Sequence, residues 1–201
     1  MAVGDYGYHE INGQEVAADP DVTRLTLGKG DDTLGLTTYI YVFRGLPLLR
    51  VFTGDGDDTV TGGPATIFAG GGNDSFAMQG TDGDQNNYGA PNTVWGQAGD
   101  DHFADGSGSS VFKGGIGNDS WTNVQVFGAQ ALDGDVDYAD LGSGADRAFV
   151  NFDISSDPDT GATIWQDRTI SLDGGKGRDT LTLFQANASL ELFSDDRLDL
   201  R

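Results

Sequence analysis

Apolar residues in this chain fall in short alternating runs, each interrupted by a turn rich in glycine and aspartate. The residue that reopens each run stands two places after an aspartate: Leu34 after Asp32, Val60 after Asp58, Phe76 after Asp74, Phe103 after Asp101, Trp121 after Asp119, Ala148 after Asp146 and Leu181 after Asp179. Alternation with a period of two marks a strand with one buried face. The pattern therefore predicts short strands that each start from a turn of fixed frame, with the apolar residue pointing inward.

The turns share the frame Gly-x-Gly-x-Asp-x-apolar. Four copies keep it directly: Gly28/Gly30/Asp32, Gly54/Gly56/Asp58, Gly70/Gly72/Asp74 and Gly142/Gly144/Asp146. Three carry a doubled leading glycine or its remnant: Gly96/Gly99/Asp101, Gly114/Gly115/Gly117/Asp119 and Gly174/Gly175/Gly177/Asp179. Glycines two apart permit a tight turn at positive φ, which aims successive carbonyl oxygens into one small space. The aspartate adds a carboxylate to that oxygen cluster. A calcium ion takes about 6 to 8 oxygens, more than one such turn offers, so two stacked turns would share an ion.

Consecutive motif aspartates lie 26, 16, 27, 18, 27 and 33 residues apart, close to multiples of nine. A weaker repeat with glycine or proline in place of the acid falls between them, at Gly45/Pro47/Leu49/Val51, Gly62/Pro64/Thr66/Phe68, Gly89/Pro91/Thr93/Trp95 and Gly106/Gly108/Ser110/Phe112. These spacings predict a flattened coil with acidic turns on one edge and ligand-poor turns on the other. In that frame Trp95 and Phe68 occupy the apolar position that Val51 and Phe112 hold. Longer gaps hold excursions: an added strand over 38–43, an exposed polar loop over 79–88 and a long hairpin over 151–168. Residues 1–20 are expected to cap the open end of the array, 21–185 to form it, and 186–201 to be a second cap or an export-signal-like tail.

Thirty-two glycines against five prolines, without a Gly-X-Y period, exclude collagen, and the fixed apolar offsets argue against disorder. The net charge of −21 excludes binding to nucleic acid or an anionic membrane unless a cation reverses the field. The aspartates concentrate in the turns, where stacking sets like charges close together until a divalent ion separates them. The absence of cysteine excludes disulfides and thiolate metal sites. No basic-then-apolar leader and no spanning apolar stretch is visible, so neither a cleaved signal nor a membrane span is expected.

With these motifs, this acidity and no cysteine, the chain resembles the RTX, or hemolysin-type calcium-binding, repeat family over about residues 25–185. The resemblance implies an all-β fold, a parallel β-roll or β-helix solenoid with calcium-binding turns stacked along one edge. It further implies secretion without a cleaved leader through a type I apparatus, with folding on meeting extracellular calcium. One departure is that the motif comes once per coil, which implies a single column of at most six inter-turn sites. The ligands carried over are the carboxylates of Asp32, Asp58, Asp74, Asp101, Asp119, Asp146 and Asp179, with carbonyls of Gly30, Gly56, Gly72, Gly99, Gly117 and Gly177. The alternative for any single aspartate is a turn cap made to its own backbone.

Catalysis finds little support. The only histidines are His9 and His102, the latter in a solvent-facing place, and no serine has an evident histidine partner in sequence. Trp121 reads as core. The function expected is a secreted calcium-dependent structural, adhesive or matrix module that is not an enzyme, with a polysaccharide or cell surface as candidate partner. Two alternatives remain: a carbohydrate-binding accessory module of a polysaccharide-modifying enzyme, with Trp165, Tyr39 and Tyr41 as its sugar-stacking candidates, and the detached C-terminal domain of a secreted protease or toxin.

Overall fold

The computed structural model describes residues 8–17, 19, 21–36, 49–78, 92–106, 109–123, 135–152, 155–156, 163–164 and 168–185. The strand expected at 38–43, the loop at 79–88, Trp165 and the tail at 186–201 lie outside these residues. Among the described residues every regular element is a β-strand.

The chain opens with an antiparallel hairpin, β1 (Tyr8–Ile11) and β2 (Gln14–Ala17). Asn12 and Gly13 turn it, both at positive φ, the turn whose twist matches that of its flanking strands. The chain then passes repeatedly from a strand in one sheet, through an acidic turn, to a strand in a second sheet; we call each pass a rung. Rung one is β3 (Arg24–Thr26) and β4 (Thr33–Leu36), rung two β5 (Leu49–Asp55) and β6 (Thr59–Gly62), and rung three β7 (Ala65–Gly71) and β8 (Ser75–Met78). Rung four is β9 (Asn92–Ala98) and β10 (His102–Asp105), rung five β11 (Ser110–Ile116) and β12 (Ser120–Asn123), and rung six β13 (Asp135–Gly144) and β14 (Arg147–Phe152). A two-residue pair, β15 (Ser155–Ser156) with β16 (Thr163–Ile164), runs antiparallel within the segment expected to be a hairpin. Rung seven is β17 (Arg168–Asp173), β18 (Lys176–Gly177) and β19 (Thr180–Gln185).

The first strands of the rungs form one sheet, in the order β17-β13-β11-β9-β7-β5-β3 with β18 beside β13, and the second strands form the other, β19-β14-β12-β10-β8-β6-β4. Within both, successive rungs pair in parallel. The hairpin joins the second sheet through β1, which meets β4 antiparallel and so covers that edge. Parallel register places like positions over like positions. Leu34, Val60, Phe76, Phe103, Trp121 and Ala148, six of the seven residues two places after the motif aspartates, are buried in a single column, as their spacing predicts, and the seventh, Leu181, is half-buried at its end. Facing them from the first sheet are Val51, Ile67, Val94, Phe112 and Ala139, and the rings of Phe103 and Phe112 stack across the core at 5.2 Å.

The weaker repeat misplaces two aromatics. Val51 pairs with Ile67, Ile67 with Val94 and Val94 with Phe112, so the inward residues of rungs three and four are Ile67 and Val94. Phe68 and Trp95 point outward and stack with Phe52, at 4.8 Å for Phe52 to Phe68 and 6.1 Å for Phe68 to Trp95. Arg24 covers the free end of this pile at Phe52 and Lys113 covers it at Trp95. A slip of one residue in frame exchanges the faces of a strand. The glycine-proline frame slips in this way between copies, whereas the acidic turn does not.

The acidic turns tolerate little substitution. Gly56 and Gly72 sit at φ +133 and +130, and a Cβ on either would overlap the carbonyl of the matching glycine one rung earlier, Gly30 and Gly56 respectively. In rung four the first glycine place is held instead by Gln97, at φ +79. Left-handed backbone costs a non-glycine residue about 1–2 kcal/mol. In calcium-containing buffer, urea unfolding is expected to show Gly72→Ala less stable by more than about 2 kcal/mol and Gln97→Gly more stable by up to about 1 kcal/mol.

Candidate metal centre at the edge of stacked turns

Every acidic turn lies at the same edge, between the first-sheet and second-sheet strands of its rung, and the motif aspartates stack. From Asp58 onward, each uses one carboxylate oxygen to hold the rung before it. The backbone N–H of Asp32 donates to Asp58 Oδ1 at 2.8 Å, that of Asp58 to Asp74 at 2.8 Å, that of Asp74 to Asp101 at 2.9 Å and that of Asp101 to Asp119 at 2.9 Å. The file continues from Asp119 N–H to Asp146 Oδ1 at 2.7 Å and from Asp146 N–H to Asp179 Oδ1 at 3.1 Å. Asp146, on the turn with the weakest apolar anchor, is in the file like the others, because Ala148 is buried in its column.

The second oxygen is treated differently. Oδ2 of Asp58, Asp74, Asp101, Asp119 and Asp146 is buried without a hydrogen-bond partner. Leaving a charged oxygen dry and unpaired is among the most unfavourable arrangements a fold can hold. The doubled glycines show what surrounds it. A Cβ on Gly114 would meet Asp119 Oδ2 and, at 2.6 Å, the carbonyl oxygen of Leu141 in the next rung; one on Gly96 would meet Asp101 Oδ2 and, at 2.7 Å, the carbonyl of Gly114. These glycines, at ordinary φ, are there for space, and the space is lined by a carboxylate oxygen and a backbone carbonyl from neighbouring rungs. The carbonyls of Gly30, Gly56, Gly72, Gly99 and Gly117 each lie where a Cβ on the matching glycine of the following rung, Gly56, Gly72, Gly99, Gly117 and Gly144, would stand, and that of Gly144 lies likewise at Gly177. Among the described residues no three acidic, histidine or cysteine side chains converge, so a cation here would be held by a carboxylate and main-chain oxygens. Such a donor set suits a hard ion.

The two ends of the file differ from its middle. Asp32 is half-buried with both oxygens engaged, Oδ1 by the Asn12 amide at 2.8 Å and Oδ2 by the Gly28 N–H at 3.2 Å. Asp179 is half-buried on the last rung.

A second ladder runs beside the first and was not legible as a functional feature. The residue before each motif aspartate accepts from its counterpart in the following rung: Asp31 Oδ1 from Asp57 N–H, Asp57 from Asn73, Asn73 from Asp100, Asp100 from Asn118 and Asn118 from Ala145, at 2.7 to 2.9 Å. These side chains are exposed, and only an acceptor is needed, which is why aspartate and asparagine interchange along it. The Asn118 N–H groups hold the Asp100 carboxyl below its usual range.

Two further clusters were missed. His102 Nδ1 lies 2.7 Å from Ser120 Oγ, because parallel register sets residues 18 apart side by side. The pair is on the exposed outer face, as expected for His102, beside an open hollow of about 410 Å³ lined by Asp100, Asn118, Asp119, Ser120, Ala145 and Arg147. At the edge opposite the acidic turns, Asp105, Ser110 and Asp137 are buried; Ser110 Oγ donates to Asp105 Oδ2 at 2.7 Å and lies 3.1 Å from Asp137 Oδ1. The signal for Asp137 was present, since alternation puts it on the same face as Ala139 and Leu141.

No family model, curated protein or solved structure matches the chain. Among the described residues no helix is long and apolar enough to cross a membrane.

Burial pushes the carboxyl of Asp101 up to about 7 and those of Asp74 and Asp119 up to about 6, with neighbouring carboxylates adding to the effect and backbone N–H groups opposing it. Asp146 is raised for the same reasons. A carboxyl whose folded value is raised binds more protons in the native than in the unfolded chain, so its contribution to stability falls as pH rises. The window runs from the ordinary value, 3.8, to about 7. In chelator the chain is expected to be most ordered at about pH 4 and to lose β-structure and resistance to urea progressively up to about pH 8. Equal or greater stability at the higher pH, followed by circular dichroism, would contradict the burial of these groups.

Proposed function

We propose that the chain is a secreted calcium-binding protein of the RTX kind, a parallel β-roll whose acidic turns hold a column of calcium ions along one edge. Its fold is itself the calcium-dependent event, and it acts as a structural, adhesive or matrix module at a cell surface or on a polysaccharide. The observation that carries this reading is the file of five buried, unpartnered carboxylate oxygens, Oδ2 of Asp58, Asp74, Asp101, Asp119 and Asp146. One such oxygen would be a local peculiarity. Five at the same place in successive rungs call for a ligand common to all of them. Export through a type I apparatus belongs to the same proposal and rests on the motif resemblance.

Within the column the chain's own groups divide the work. Oδ1 fixes the register of the rungs, while Oδ2 and the carbonyls beside it supply oxygen donors. Calcium, when bound, supplies the positive charge that the edge lacks, and the free energy of binding becomes free energy of folding. Magnesium fits poorly, because it demands a tight octahedron and gives up its waters reluctantly.

Sugar stacking on the first sheet is not advanced as a second reading. The ring faces of Phe52, Phe68 and Trp95 lie against one another and the ends of the pile lie under Arg24 and Lys113. A sugar ring needs an open aromatic face.

At neutral pH, circular dichroism is expected to show coil in chelator and a β-rich chain in millimolar calcium, with magnesium at the same concentration restoring little. A chain equally folded in both would remove the basis of the proposal.

A further inference from the structure

The first acidic turn departs from those stacked on it in two linked respects. Its carboxylate has no idle oxygen, whereas Oδ2 of the aspartates at the next five turns is buried and unpartnered. Its backbone is also turned differently. Gly28 has an ordinary φ, while the residues aligned with it in the later rungs, Gly54, Gly70, Gln97, Gly115, Gly142 and Gly175, all have positive φ.

Asn12 accounts for the first of these. In the stack, a motif aspartate's N–H donates to the carboxylate of the next rung, and its C=O accepts from the residue after that rung's aspartate, as Thr59 N–H donates to Asp32 O at 2.8 Å. Below rung one the described residues supply no such backbone, and the side-chain amide of Asn12 takes its place. Asn12 Nδ2 donates to Asp32 Oδ1 at 2.8 Å, and Asn12 Oδ1 accepts from Thr33 N–H at 2.7 Å. A carboxamide supplies one donor and one acceptor, as does the backbone of the residue it replaces. The altered backbone at Gly28 accounts for the second oxygen, since it points an N–H at Asp32 Oδ2. The positive end of a peptide dipole thus stands where a cation would otherwise approach the carboxylate.

Resting on the calcium reading above, we propose that the turn Gly28–Asp32 is a metal-free cap closed by Asn12, and that the cation column starts at Asp58. Asp32 is then a structural residue although its motif is intact, and the hairpin of β1 and β2 is the device that ends the column without metal.

Native mass spectrometry of the full chain in calcium counts bound ions directly. Asp32→Asn is expected to bind as many ions as the unaltered chain, while Asp74→Asn binds at least one fewer. Gly28→Ala is a second variant that should fold, because a Cβ there meets nothing within 4 Å and the φ is ordinary. It too should leave the count unchanged. A deficit of one ion in either Asp32→Asn or Gly28→Ala overturns the cap. If Asp32→Asn does not fold, the count for the unaltered chain decides: five gaps separate the turns from Asp58 to Asp179, and a sixth ion overturns the cap. No uptake by the unaltered chain would overturn the calcium reading itself, an outcome distinct from a deficit confined to the variants.

Discussion

A file of carboxylates held dry, one per rung, is the constraint on which the rest of this molecule turns. Unit charges one rung apart, about 4.8 Å, repel by about 3.5 kcal/mol at an effective dielectric of 20. Each central aspartate has two such neighbours, so the repulsion it feels exceeds the roughly 1.5–3 kcal/mol that one charge-assisted N–H bond returns. The backbone alone therefore cannot hold the file fully ionised. Protons or a cation must enter it; the raised carboxyls of Asp74, Asp101 and Asp119, pushed up by burial first and by their charged neighbours second, are the first of these responses. The second is the calcium column proposed above.

The main-chain and side-chain ladders do a different job. Two run side by side at the acidic edge with opposite sense: the motif aspartate reaches back to the rung before it, and the residue preceding it reaches forward to the rung after. Together they fix both the height and the register of each turn. That precision matters because the oxygen-lined gaps lie between rungs and not within one. A slip of one residue would move the aspartate out of its file and turn the apolar residue beside it to solvent. The core column and the acidic column are therefore the same register seen from two sides.

Asn12 shows how the pattern is brought to an end. A repeating stack has no natural first member, and its first rung exposes the donors and acceptors that an earlier rung would have used. Here one side-chain amide, presented by a tight Asn-Gly turn, meets that need, while β1 covers the neighbouring strand. On the outside of the first sheet, the pile from Phe52 through Phe68 and Trp95 to Lys113 follows from the same parallel register, since identical positions in successive rungs meet face to face, while Arg24 reaches over Phe52 from two residues before the matching place.

The sequence alone determined the acidic turns, their common frame, the inward column from Leu34 to Ala148 and the strand character of the chain. These are local facts: glycine spacing sets the turn, and a side chain two places after the aspartate has only one face to occupy. What needed the tertiary structure was every relation between rungs. Intervals from 16 to 33 residues separate positions that lie directly over one another, and no local pattern reveals which partner each meets. For that reason the split between Oδ1 and Oδ2, the spacing role of Gly96 and Gly114, the outward turn of Trp95 and the joining of Asn12 to Asp32 became visible only in the stack. Hydrogen bonding and burial are properties of neighbours, and in a parallel stack the neighbours are distant in the chain.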